Sequence, residues 1–237
     1  MENFLQQVNN NLCISLTPTQ VNMFATYEDL LIEWNTKFNL TTITDPSEIR
    51  VKHFLDSLTC LRVIPEQGSF SLIDIGTGAG FPGIPLKIIN PLINLTLAES
   101  IGKKAEFCQI AVEKLRLTNT QVITSRAETI GQDQKFRECY DWAIARAVAS
   151  LPVLAEYLLP LVRIGGSMLA QKGGNVDIEI GQSDNAIKIL GGKLDSVIPI
   201  SLPDGMGERT LIQIRKITPT PSRYPRRPGT PKKKPLN

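Results

Sequence analysis

Over residues 1–68 the apolar positions recur every three or four residues, the period of a helix that buries one face. In TPTQVNMFATYEDLLIEW, Val21, Phe24, Leu31 and Trp34 keep that spacing with Tyr27 and Leu30 between them, and Thr17 before Pro18 is placed to cap the first turn. A second start lies at Asp45-Pro46-Ser47-Glu48, with Asp45 as N-cap and Pro46 at the first helical position. The run that follows is apolar at Val51, Phe54, Leu55, Leu58 and Leu61 and stops near Pro65 and Gly68.

From residue 70 short apolar runs alternate with amphipathic segments, which predicts a parallel sheet with crossover helices. The strands are predicted at 71–75, 92–98, 120–124, 141–145, 166–171, 193–200 and 210–215, with helices at 82–89, 103–117, 151–159 and 176–190. Only the turn-rich Pro203-Asp204-Gly205-Met206-Gly207 separates the last two strands, so they are expected to pair as an antiparallel hairpin at one edge. The fold class is therefore α/β, a seven-stranded doubly wound sheet. Its divisions are a helical N-terminal extension over 1–68, a nucleoside-binding domain over 69–217, and a proline-rich tail over 218–237 expected to be extended and to build no core.

Composition is ordinary for a globular chain of 237 residues, 42% hydrophobic and 21% charged, which excludes disordered, collagenous and coiled-coil classes. The net charge of +3 hides an asymmetry: six of the 26 basic residues lie in the last fifteen, leaving residues 1–222 at −3. Four scattered cysteines without a C-x-x-C pair and a single histidine, His53, argue against zinc or any other metal site. The absence of a long apolar run and Glu2 beside Met1 argue against a membrane span or a signal peptide. The expectation is a reduced cytoplasmic protein with its cysteines as small core residues.

The sharpest chemical signal is LIDIGTGAGFPG at 72–83, a strand ending at Asp74, then Gly76, Gly78 and Gly80, then a helix opening near Pro82. Such glycines let backbone approach a ligand closely, and the helix start offers free N–H groups. Two spacings overlap. Gly78, Gly80 and Gly83 read as the dinucleotide fingerprint, but that match begins too far beyond the strand and carries a stiff Phe81-Pro82 where a pyrophosphate must come close. Gly76, Gly78 and Gly80, directly after the strand, form the pattern of an S-adenosylmethionine loop. Glu99, with Ser100 beside it, ends the second strand 23 residues after Gly76, where a carboxylate accepts ribose hydroxyls. Ser125-Arg126-Ala127-Glu128 follows the third strand, where an adenine would lie.

These segments resemble the small-subunit ribosomal RNA methyltransferase G family, also called glucose-inhibited division protein B. The likeness runs through Trp34-Asn35, FNLT at 38–41, HFLDSL at 53–58, DIGTGAGFPGIPL at 74–86, SRAE at 125–128, ARAVASL at 145–151, QKG at 171–173, GER at 207–209 and the RYPRRPGTPKKKPL tail. One departure is Thr36, where many relatives have lysine. The resemblance implies a Rossmann-like class I S-adenosylmethionine-dependent methyltransferase that modifies N7 of one guanine in 16S rRNA, conventionally position 527. Its partner would be 16S rRNA in the 30S subunit or an assembly intermediate, met by a monomer with no membrane attachment. It further implies Gly76 and Phe81 in the cofactor loop, Ala127 and Glu128 around the adenine and Arg146 after the fourth strand, with His53 and Asp56 facing the mouth of the site.

Guanine N7 carries an unprotonated lone pair at neutral pH, so its methylation needs alignment and no general base. The chain agrees: Ala145-Arg146-Ala147-Val148 stands where amino-group methyltransferases carry Asn-Pro-Pro-Tyr or Asp-Pro-Pro-Tyr. Arg146 is then expected to position cofactor or base. Arg50, Lys52, Lys103 and Lys104 are candidate phosphate contacts beside the tail. Two other classes share the pattern, an NAD-dependent oxidoreductase and an RNA-binding module without activity. Removing 218–237 is expected to weaken RNA binding and flatten its salt dependence while leaving cofactor binding alone.

Overall fold

The computed structural model describes residues 1–174 and 176–236. Strands β1 (Ser71–Ile75), β2 (Asn94–Glu99), β3 (Thr120–Thr124), β4 (Tyr140–Arg146), β5 (Val162–Gly173), β6 (Gly192–Ser201) and β7 (Glu208–Lys216) form one sheet in the order β3-β2-β1-β4-β5-β7-β6. The first five run parallel, and β7 lies antiparallel between β5 and β6, so the expected edge hairpin is present. The winding reverses between β1 and β4, which opens a crevice at the carboxyl ends of those strands.

Alternation along the buried strands divides the core into two faces. Leu72, Leu95, Leu97, Ile144 and Leu169 point to one, and Ile73, Ile75, Ala143, Ala145, Met168 and Ala170 to the other. The first face carries α5 (Gly83–Ile89), α6 (Gly102–Lys114) and the N-terminal helices α1 (Glu2–Leu12) and α2 (Pro18–Asn35). The second carries α7 (Ala127–Gln132), α8 (Leu151–Leu158) and α9 (Asp177–Ile189). Thr17 caps α2 as expected, its hydroxyl accepting from the Gln20 N–H while the Gln20 side chain accepts from the Thr17 N–H. Phe4, Phe24 and Phe54 meet at 5.2–6.0 Å between ring centres, and Tyr27 stacks on Phe54 at 5.3 Å. This aromatic knot fastens the extension to the sheet.

Four features differ from the sequence reading. The segment after Asp45 is not one regular helix: α3 (Pro46–Ile49) passes into a π turn over Arg50–Leu55, then α4 (Asp56–Leu58) and a 3-10 turn. The Asp56 N–H reaches the Val51 carbonyl five residues back, which widens the helix and shifts the facing of the residues after it. Second, within the expected helical extension, α1 lies ahead of the two helix starts delimited from sequence and buries Phe4 and Val8. Third, Cys60 and Cys108 are core residues, but Cys13 and Cys139 are exposed.

The fourth difference is the tail. It does not stand off as an extended segment but crosses the outer side of α7 and α8, burying Thr220, Tyr224 and Pro231 and ending in α10 (Thr230–Lys233). Prolines forbid a strand ladder, yet their neighbours' carbonyls still accept hydrogen bonds. Arg137 donates to the carbonyls of Thr220 and Tyr224, and Gln132 to those of Ser222 and Pro225.

Phe54 is fully buried at the centre of the aromatic knot. Phe54→Ala is expected to lower stability by about 3–5 kcal/mol in urea unfolding, the cost of a large core cavity.

Candidate active site

The strand-to-helix turn after β1 is held from below by Asp74, whose Oδ2 accepts from the Thr77 hydroxyl at 2.7 Å and from the Gly83 N–H at 2.8 Å. Burial pushes the Asp74 carboxyl up to about 6, against the pull of these two donors. Its Oδ1 is buried with no partner among the described residues. From the side, Glu99 Oε2 accepts from the Gly78 N–H at 2.9 Å, and its Oε1 from the Ile101 N–H at 2.9 Å. From above, the Tyr27 hydroxyl of α2 donates to the Ala79 carbonyl, a bond only a close helix can make. A Cβ at Gly80 would fall 2.7 Å from that hydroxyl and one at Gly76 2.7 Å from Val148 Cγ2, and both glycines hold positive φ. Here glycine is required by space and by backbone geometry together.

Two cavities flank the turn after β4. The first is lined by Gly76, Ala98, Ser100, the 125–128 turn, Val148, Ala149 and Tyr157. Its rim includes Gly229 and Lys232 of the tail. The second is lined by Lys52, His53, Asp56, Arg146, Ala147, Gln171, Lys172 and Arg209, four of them cations. Adjacent residues, Ala147 and Val148, thus face different cavities, and Ala147 takes a positive φ of 56° to allow it.

The second cavity is organised around Asp56, which is 2% exposed. Its Oδ2 accepts from Arg146 Nη1 at 3.0 Å, and its Oδ1 meets Arg209 Nε at 3.1 Å and Gln171 Nε2 at 2.8 Å. Arg146 Nη1 also donates to the Lys52 carbonyl at 3.2 Å, and its guanidinium lies 5.0 Å over the Phe81 ring. His53 stacks on the same ring at 4.7 Å.

A family model described as rRNA small subunit methyltransferase G matches residues 20–206. Relatives of that name include one from Pelotomaculum thermopropionicum, 51% identical over 94% of this chain and 93% of its own. Another, from Alkaliphilus metalliredigens, is 50% identical over 92% of this chain and 91% of its own. The chain belongs to the rRNA small subunit methyltransferase G family. Among solved structures, a SAM-dependent methyltransferase from Aquifex aeolicus superposes with a TM-score of 0.52 at 16% identity, over 72% of this chain and 93% of that one. A geranyl diphosphate C-methyltransferase from Streptomyces coelicolor, holding S-adenosyl-L-homocysteine, gives 0.53 at 11%, over 69% and 79%. At these identities the likeness is one of fold, the class I methyltransferase sheet.

Within this methyltransferase fold the expected site residues separate into two groups. Gly76, Ser100, Ala127 and Glu128 line the first cavity, while His53 and Arg146 line the second. Gly78, Gly80 and Glu99 shape the loop, and the Phe81 ring packs inward between Tyr27 and His53, so what Phe81 offers a ligand is backbone. Arg146, expected to hold cofactor or base, makes the strand-end ion pair with Asp56 and faces away from the first cavity. The cations proposed from sequence are largely committed. Arg50 pairs with Glu28 through two 2.6 Å bonds, Lys52 with Glu48 at 2.6 Å, and Lys103 sits 4.1 Å over Phe38. Thr36 only turns back onto the Glu33 carbonyl, while Asn35 accepts from the Leu40 and Thr41 N–H groups and shapes the FNLT turn. Arg209, Gln171, Lys172 and Tyr157 were not singled out from sequence. The first three stood inside the QKG and GER segments, and their signal was proximity across β5 and β7, invisible in one dimension.

Arg146 donates only, so its 3.4 Å contact makes His53 Nδ1 the acceptor and leaves Nε2 to donate to Thr41 Oγ1 at 2.8 Å. Burial, reinforced by the Arg146 charge, pushes His53 down to about 3. His53 is therefore neutral at pH 7. Its folded-state pKa lies below the unfolded value, so its share of stability is present above about pH 6.5 and is lost as pH falls towards 3. Because the chain has one histidine, this slope is separable by difference. Between pH 7 and 5, His53→Gln is expected to lose about 2 kcal/mol less stability than the parent in urea unfolding. Equal losses would show that His53 charges freely in the fold.

Proposed function

We propose that this chain transfers a methyl group from S-adenosylmethionine to N7 of a guanine in 16S rRNA, acting as a cytoplasmic monomer on the 30S subunit or an assembly intermediate. The observation that carries this reading is the pair of cavities sharing one wall at Arg146–Ala149, one shaped for a nucleoside and the other ringed by cations. Family membership sets the oxidoreductase aside and favours an RNA acceptor.

The residues present fit the cofactor. Asp74 Oδ1 is a buried acceptor without a donor among the described residues, Glu99 Oε2 accepts only from the Gly78 N–H and so keeps acceptor capacity, and a side chain at Gly78 would meet nothing within 4 Å. The loop backbone at Gly76 and Gly78 would hold the amino-acid end, Glu99 the ribose, and the first-turn N–H groups of α7 at Ala127 and Glu128 the base. Bound there, S-adenosylmethionine supplies a methyl group on a positively charged sulfur. The protein's own contribution is to place a nucleophile in line with it.

On the acceptor side, Arg146 and Arg209 give a pocket suited to a phosphate and to guanine O6, with Lys52 and Lys172 at its wall paired to Glu48 and Glu179. Arg146 donating to O6 would leave the neighbouring N7 lone pair facing the shared wall. Among the described residues, no side chain around this cavity is a free base: His53 is neutral with both ring nitrogens engaged, and Asp56 is committed to two guanidiniums. That suits a nucleophile that needs no deprotonation, as N7 does. Duplex RNA hides N7 in a deep groove, so the target base must enter single-stranded or extruded.

The test is incorporation of labelled methyl into naked 16S RNA, 30S subunits and assembly intermediates, followed by chemical cleavage specific for 7-methylguanosine. Label at guanine N7 in at least one acceptor is expected. Arg146→Ala should then lower the transfer rate by about a hundredfold with S-adenosylhomocysteine affinity retained, the effect of losing a positioned charged donor. No transfer to any acceptor would overturn the proposal.

A further inference from the structure

The tail reaches the first cavity by a chain of specific contacts. After β7 the backbone turns back on itself, with the Ile217 and Thr218 N–H groups both donating to the Gly191 carbonyl. Tyr224 is then buried, and Pro225 packs so closely on α7 that a Cβ at Gly131 would lie 2.7 Å from Pro225 Cγ. One residue on, Arg226 forks onto Glu156 of α8, its backbone N–H also donating at 2.8 Å and Nη2 approaching to 2.6 Å. Glu156 has no exposed surface, so this pairing is the condition for keeping a carboxylate there. Of the tail's six cations, Arg226 is therefore not available to RNA.

Beyond that anchor the chain turns at Gly229, whose φ is 83°, and its N–H donates to Glu128 Oε1 at 2.8 Å. Glu128 is 4% exposed and is also the partner towards which the Tyr157 hydroxyl points; burial, then this carboxylate, pushes Tyr157 up to about 12. Tyr157, Glu128, Gly229 and Lys232 all line the first cavity. Part of the wall of the cleft assigned to the cofactor thus comes from Gly229 and Lys232, held by a carboxylate that the sequence placed beside the adenine.

We propose that this strap is a working part of the cofactor site: residues 229–232 close the cleft on the Glu128 side, and cofactor binding and strap docking stabilise one another. The inference rests on the assignment of the first cavity to S-adenosylmethionine. A ligand that contacts the docked strap binds that state better, and by linkage docks the strap more firmly. The tail is then no independent RNA grip, and its removal does not leave cofactor binding alone.

Calorimetric titration with S-adenosylhomocysteine tests this on the full chain and on a chain ending at Pro228, which keeps Tyr224 and the Arg226–Glu156 anchor. The shortened chain is expected to bind about tenfold more weakly. The double variant Lys233→Ala/Lys234→Ala, altering cations outside the cavity lining, is expected to match the parent. Equal affinity of the full and shortened chains, or an equal loss in the double variant, overturns the strap's role and leaves the cofactor assignment standing. If the full chain binds no S-adenosylhomocysteine, both fall. Should the shortened chain not fold, hydrogen exchange on the full chain decides: slower exchange across 226–233 on adding S-adenosylhomocysteine is expected, and unchanged exchange overturns the proposal.

Discussion

One buried carboxylate ties four elements of the site together. Asp56 comes from the helical extension, Arg146 from the end of the parallel strand β4, Gln171 from β5 and Arg209 from the start of the antiparallel β7. Two guanidiniums share it, and its remaining acceptor capacity goes to the Gln171 amide. A carboxylate this deep is tolerable only because every side of it meets a donor, and removing one member of such a group typically costs about 3–5 kcal/mol. The π turn is what delivers it. By widening the helix just before Asp56, the turn allows Phe54 and Leu55 to bury in the aromatic core while Asp56 faces the sheet edge.

The same extension also governs the glycine loop. Tyr27 bonds the Ala79 carbonyl, and Phe81 lies between Tyr27 and a neutral His53 that stacks on it. The loop proposed to meet the cofactor and the arginines proposed to meet the acceptor are thus positioned by one packed unit, to which the helical extension contributes Tyr27, His53 and Asp56. Charge follows the same logic: a body of net −3 presents a cavity with four cations, of which Arg146 and Arg209 are paired with Asp56 and Lys172 with Glu179.

Most of the sheet was legible in the sequence, because buried parallel strands are short apolar runs bounded by turn residues. Strands β1 and β3 match the predicted bounds, and the hairpin after β5 followed from the lack of a helix between its strands. The glycine loop was legible for the same reason, since its chemistry and its spacing lie within twelve residues. The π turn was not, because hydrophobic period cannot distinguish one extra residue in a turn from an ordinary helix. Nor was the strap, whose fixation rests on Arg226, Glu156, Arg137 and Gln132, residues far apart in sequence that look like ordinary surface charge and amide until folding brings them together. Arg209 remained hidden because its value lies in a distance to Asp56 across four elements.

The most direct test of this account is single-turnover methyl transfer to 16S RNA by Asp56→Asn, compared with the parent at saturating S-adenosylmethionine. The variant is expected to lose most of its transfer rate while retaining its fold and its S-adenosylhomocysteine affinity, because Asp56 holds Arg146 and Arg209 and touches neither the glycine loop nor the first cavity. Transfer at the parental rate by the folded variant would contradict it.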